Sequence, residues 1–179
     1  MKEITKDILL GLAAAFIKLS SLLSKAGAIL AALLMAGMTL HVILEIFLRA
    51  ALSTSTFVLD EFVGYGVAAM TFLALGYAFE TNTLIRVNIL LTKLRGDLAR
   101  RVVEVLCVSA AVVLSSYIAM YFWKSVARNI ERGSTSETIA AVPLWIPEAF
   151  VLAGLIIFIM QMVAYILKVV SGQNLLSEQ

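Results

Sequence analysis

Apolar residues run through this 179-residue chain in four long blocks, with the charges gathered between them. A helix needs about 20 apolar residues to cross the hydrocarbon core of a bilayer. Stretches at about 26–48, 62–79, 102–123 and 146–167 answer to that description; the second is the shortest and extends outward through "FVL" before Asp60. Between them lie polar segments carrying Arg49, a basic run from Arg86 to Arg101, and the segment 124–142. The pattern predicts an all-α membrane protein of four transmembrane helices in a single membrane domain covering 1–179.

The first 25 residues follow a different rhythm. In "ITKDILLGLAAAFIKLSSLLSK" the apolar residues Ile8, Leu12, Ala15, Leu19 and Leu22 recur at helical spacing, and lysines and serines occupy much of the remaining surface. This predicts an interfacial amphipathic helix over 1–25, lying along the membrane before the first span. A signal peptide is the competing reading, with Lys2 and Lys6 as its charged start and "ILLGLAAAF" as its apolar stretch. Against it, the amphipathic pattern continues through Lys18 to Lys25 with no cleavage region. A second amphipathic piece, "LIRVNILLTKL", lies between spans two and three, where Ile85, Ile89 and Leu94 face the bilayer while Arg86 and Lys93 reach headgroups.

Composition confirms the class: 61% of residues are hydrophobic and only 15% charged, less charge than a soluble domain of this size carries on its surface. Four spans put both termini on one side, and the distribution of charge says which. If the termini are cytoplasmic, that side holds Lys2, Lys6, Lys18 and Lys25, the loop residues Arg86, Lys93, Arg95, Arg100 and Arg101, and Lys168. The outer side keeps Arg49, Lys124, Arg128 and Arg132. The bias obeys the positive-inside rule and leaves Trp123 and Trp145 at the outer interface. The five loop cations are expected to contact lipid headgroups.

Ionisable residues within a span are costly and mark a functional site by default. His41, Glu45 and Arg49, four apart in the first span, stack on one helical face. The plainer account pairs Glu45 with Arg49 along the helix, in outer turns where water is at hand, and makes His41 a packing residue. Asp60 and Glu61 open the second span. Asp60 is placed to cap that helix and complement its dipole; Glu61 points to another side, free to pair with Arg49 across the outer loop or to meet a partner protein. In "ERGSTSETIAAVPLWIPEAF", Ser134 and Glu137 have capping-box spacing, which predicts a short helix over 137–141. Pro143 and Pro147 bracket Trp145, and Pro147 fits the first turn of the last helix.

Spans two to four hold no charged residue in their central turns, and Gln161 is the one strongly polar side chain there. Small residues at four-residue spacing, Gly64 and Ala68, Ala74 and Ala78, and Ala111, Ser115 and Ala119, offer faces for close helix packing. The single histidine excludes bis-His haem ligation, and the single cysteine, Cys107, excludes an internal disulfide cycle. No HExxH, GxSxG or Walker-type pattern occurs. No catalytic, substrate-binding or metal-ligating residue, no cofactor and no nucleic-acid partner is expected in this chain. The pattern is that of a scaffold packed against another membrane protein. The alternative is a self-sufficient, proton-coupled exporter of the small multidrug type using Glu45; a membrane anchor for a redox enzyme is disfavoured by the missing haem ligands.

Several stretches together, Arg49, "LDEF" opening span two, "FLALGYAFETNTLIRVNIL" leading out of it and "ERGSTSETIAAVPLWIPEAF" leading into span four, resemble a DctQ-type protein, the small membrane subunit of tripartite ATP-independent periplasmic (TRAP) transporters. The resemblance covers about residues 30–168, and the order and spacing of the stretches carry it. Leu59 stands near where the family often has a tryptophan. At 84–88 the chain has Leu84, Ile85, Arg86, Val87 and Asn88 against a His-Ile-x-Val-Asp run, so nothing is carried over for the missing histidine and aspartate. Arg49, Glu61, Gly76 and Pro147 are the positions that carry over best. The resemblance implies a non-catalytic subunit of the bacterial inner membrane. Its expected partners are a large DctM-type subunit that moves a small organic anion by a sodium-coupled elevator motion, a periplasmic DctP-type binding protein, and membrane lipids.

Overall fold

The computed structural model describes residues 2–81, 83 and 97–170, with side chains over 11–81, 83 and 101–169. Four helices follow in order: α1 (Lys2–Leu52), α2 (Leu59–Glu80), α3 (Asp97–Arg132) and α4 (Trp145–Val170). Each contains a segment long and apolar enough to cross a membrane. The protein is an all-α membrane protein.

The helices are not equivalent. At 1.5 Å per residue, the 22 residues of α2 and 26 of α4 extend about 33 and 39 Å, close to the thickness of the hydrocarbon core. With 51 and 36 residues, α1 and α3 extend about 75 and 54 Å and overrun it. The expected boundary between an interfacial helix and the first span is absent: α1 passes through Lys25 and Ala26 without a break. No glycine-proline pair or polar loop interrupts it there, and its serines are taken up by neighbouring helices.

The hub is α4, which packs against α1, α2 and α3; α2 also packs along α1, whereas α3 packs substantially on α4 alone. Short links of residues 53–58 and 133–144 join helices at one end, here called the loop end; the start of α1, the end of α2 and the end of α4 define the terminal end. Two glycines set the closest approaches of one helix to the backbone of another. A Cβ on Gly154 of α4 would lie 2.5 Å from the carbonyl carbon of Phe72, and one on Gly27 of α1 would lie 2.8 Å from the Leu73 carbonyl oxygen. Both contacts are with backbone, which cannot yield. Gly76, one turn further along α2, faces Ile157 and Ser24. The expected contact at Gly64 does not form, because that position is exposed with nothing within 4 Å of it. On α3 the expected face is used: Ser115 is buried, and Ala111 packs on a cluster of Phe79, Val108, Met162, Tyr165 and Val169. There Phe79 stands edge-on to both Phe158 and Tyr165, at centroid distances of 5.8 and 5.7 Å.

Candidate functional site

Most side-chain hydrogen bonds between elements among the described residues gather toward the two ends of the helix layer, chiefly in clamps of a carboxylate with hydroxyl or amide donors. At the loop end, Glu45 and Arg49 are one turn apart on α1, and Arg49 Nε donates to Glu45 Oε1 at 2.8 Å. Their surroundings differ sharply, with the Arg49 side chain 62% exposed and that of Glu45 only 2%. Instead of standing in water, Glu45 lies beneath the 53–58 link and accepts from the Ser55 hydroxyl, the Thr56 N–H at 2.9 Å and the Thr56 hydroxyl at 2.7 Å. The link turns through left-handed backbone at Ser53 (φ 47°) and Phe57 (φ 60°), conformations costly for residues bearing a Cβ. Four donors on one buried carboxylate hold it there. The signal lay in the tetrapeptide "STST" after Leu52, a run of donors placed to fold back on the last acid of the helix.

The acidic doorway of α2 divides differently from expectation. The N-cap position is Val58, with no side-chain cap, and Asp60 is an exposed residue of the first helical turn. Starting the helix one residue before Asp60 carries its carboxylate past the cap position, leaving only its charge to act on the helix dipole. Glu61 does not pair with Arg49, whose partner is Glu45. Its carboxylate accepts the Thr138 hydroxyl and ties α2 to the 133–144 link.

That link contains no helix over 137–141. A bridge pairs Thr135 with Pro143; Ser136 N–H donates to the Val142 carbonyl at 2.9 Å, and Leu144 N–H to the Ser134 carbonyl at 3.0 Å. The backbone of Ser134 is thus used in the bridge, and Ala141 at φ 44° turns the chain back. Trp145 begins α4, exposed, and Pro147 follows in its first turn. Glu148 beside it accepts from Ser125 at 3.0 Å and Asn129 at 2.9 Å, fastening the loop end of α3. Below these links a mostly apolar cavity of about 480 Å³ opens between α1, α2 and α4, lined in part by Leu34, Met38, His41, Tyr65 and Phe150. His41 meets Phe62 edge-on at 6.1 Å.

At the terminal end the serines of α1 turn inward. Buried Ser20 donates to Gln161, which is itself buried on α4, and Ser21 and Ser24 donate to the two oxygens of Glu80, each at 2.5 Å. On α3, buried Glu104 accepts the Tyr165 hydroxyl at 2.5 Å. Sequence reasoning placed these serines on a solvated face and passed over Glu80, Glu104 and Glu148. The spacing of Ser20, Ser21 and Ser24, one face of an otherwise apolar helix, is the sign that was available. Arg101 is half-buried near the start of α3; the side chain of Arg100, the residues Arg86, Lys93 and Arg95, and the amphipathic piece at 84–94 lie outside what the structure describes. Among the described residues no group of histidine, cysteine, aspartate and glutamate is arranged to hold a metal ion.

Compared with protein families, residues 38–172 match the model described as tripartite ATP-independent periplasmic transporters, DctQ component. The chain belongs to the DctQ family. It is the small permease component of a TRAP transporter, a non-catalytic part of an assembly with other components and a multi-pass membrane protein. Membership sets aside the exporter reading built on Glu45. No curated protein and no solved structure matches the chain. The match begins at Met38, so it covers the Glu45 clamp, the acidic doorway and the 133–144 link, while the serine-bearing half of α1 precedes it.

Proposed function

We propose that this DctQ protein is a static brace in the bacterial inner membrane. It holds the large, sodium-coupled DctM-type subunit while that subunit carries a small organic anion, such as a carboxylate, in an elevator motion. Both termini face the cytoplasm, as the distribution of lysine and arginine favours. The loop end then faces the periplasm and offers part of the docking surface for a DctP-type binding protein.

The observation that carries this reading is the contrast between inner and outer surfaces of the two long helices. The buried polar side chains Ser20, Ser24 and Glu45 of α1 and Glu104 of α3 are spent on contacts within the chain, while the spans of both helices turn apolar residues outward: Leu33, Ile43 and Phe47 on α1, Val113, Leu114 and Tyr117 on α3. A rigid layer with apolar edges suits a fixed frame against which another subunit moves. The polar loop end, with Arg49 and Asp60 beside a shallow hollow of about 590 Å³, suits contact with a soluble partner.

Purification from the native membrane in mild detergent tests the brace. A larger, many-spanned protein recovered in equal amount, by mass identification, is the expected result; recovery of this chain alone as a homodimer overturns it. Docking is tested at Glu61. Because its carboxylate holds the 133–144 link, Glu61→Arg is expected to weaken binding-protein affinity and transport, and unchanged values for both would remove Glu61 from the docking surface.

A further inference from the structure

Where α2 stops at Glu80, α1 continues for about another 30 Å, which leaves a step at the terminal end of the layer. A cavity of about 500 Å³ occupies that step, between α1, the end of α2 and the last turn of α4. Three lysines line it: Lys18 and Lys25, seven residues apart and so on one face of α1, and Lys168 from α4. None of the three forms an ion pair with a described residue. Among the described residues of the cavity wall the one carboxylate, Glu80, is engaged by the hydroxyls of Ser21 and Ser24. Among these described residues positive charge is therefore in excess, drawn from two helices distant in sequence, and the rest of their surface is largely apolar, with Ile17 and Leu22.

The geometry points to a binding site for a phosphate group, carried by an anionic phospholipid whose headgroup sits among Lys18, Lys25 and Lys168 and whose chains lie along the apolar wall. A flexible ammonium on a long stem meets a phosphate as a point charge while its methylenes lie along apolar surface. The cavity stands at the ends of α2 and α4, the depth at which headgroups meet two helices of span length. Exposed Leu19 and Leu22 on the same stretch of α1 place hydrocarbon next to that charge. The inference is independent of the transporter reading, since it needs only that the layer lies in a membrane.

The test uses the full chain, purified and equilibrated in detergent micelles containing equal amounts of phosphatidylglycerol and phosphatidylcholine, with retained lipid counted by native mass spectrometry. Wild type is expected to keep phosphatidylglycerol in preference to phosphatidylcholine. Each lysine near an anionic surface contributes a factor of about five, so replacing Lys18, Lys25 and Lys168 together with glutamine should cut the preference about tenfold or more even under salt screening. The corresponding triple arginine variant should keep it. Equal retention in wild type and the glutamine variant overturns the site, and loss of preference in the arginine variant as well overturns charge as its cause. Inorganic phosphate at millimolar concentration distinguishes the source: no displacement supports the lipid, and displacement matching that by excess phosphatidylglycerol assigns the site to soluble phosphate instead.

Discussion

Helices α1 and α4 pass through the same protein by opposite rules. The hub α4 is apolar almost all round and is buried by its neighbours through Val151, Leu152, Leu155 and Met162. On α1 the arrangement is reversed: Ser20, Ser24 and Glu45 are buried, and Leu12, Leu22, Leu33 and Leu40 are exposed. In water such a helix would be inside out. Against lipid it is reasonable, because the bilayer solvates leucine as well as a protein interior does, and an exposed hydroxyl or carboxylate has no partner there. Contacts on α1 are therefore specified largely by buried polar groups, serine donors at one end and the Glu45 acceptor at the other, and those on α4 largely by shape.

The contrast breaks most forcefully at Gly154, where α4 depends on shape. Gly154→Val drives a branched side chain into the Phe72 backbone and should lower unfolding stability in detergent by about 1–3 kcal/mol. Gly64→Val, facing open space, should change it little. Equal effects at the two glycines would mean that the α2–α4 crossing is not set by close approach.

Next in expected size is Glu45→Leu, which removes the acceptor beneath the 53–58 link. The link is expected to lose its fixed path, so that a cysteine placed at Thr54 gains reactivity toward a water-soluble maleimide. Arg49→Leu should have a smaller effect, since the hydroxyls of Ser55 and Thr56 and the Thr56 N–H still hold the carboxylate. An Arg49 variant as damaging as the Glu45 variant would make the ion pair, rather than the link, the purpose of the site.

At the other end of α1, Gln161→Leu leaves the buried Ser20 hydroxyl without its acceptor. Hydrogen bonds between membrane helices average about 0.6 kcal/mol and reach about 1.7, and a loss in that range is expected in equilibrium unfolding. Leu22→Ser, on the lipid face of the same helix, should leave helix packing unchanged in detergent.

Read along the chain, the spans were legible because about 20 consecutive apolar residues have few other uses, and the pairing of Glu45 with Arg49 followed from spacing alone. What stayed hidden depended on which way a face turned. The apolar period between residues 4 and 25 leaves the serines on the remaining surface with the lysines, and the partner of a serine 141 residues away cannot be read from local pattern. The glycine contacts were missed for a related reason. Gly154 is isolated, with no small residue three or four positions away, whereas Gly27 shares a buried face with Ser24 and Ala31; in both cases only the meeting of two helices reveals why a side chain cannot be accommodated there. The capping-box spacing at Ser134 and Glu137 was real as a pattern, yet the bridge between Thr135 and Pro143 outcompeted it.

The smallest effect separates two roles for Asp60 that both start from its position beside the helix. As an N-cap, aspartate is replaced by asparagine at almost no cost, because the two side chains accept the same backbone hydrogen bond about equally well. As a charge in the first turn, with Val58 at the cap position and no side-chain cap hydrogen bond, it acts through the helix dipole, to which asparagine brings no charge. Asp60→Asn should then cost about 0.3–1 kcal/mol at low ionic strength. Raising the salt concentration should shrink that difference, since exposed charges are screened beyond a Debye length of about 10 Å at 0.1 M. A neutral Asp60→Asn at low salt would restore the capping role, whereas a cost that persists at high salt would require a fixed partner for the carboxylate instead of the dipole.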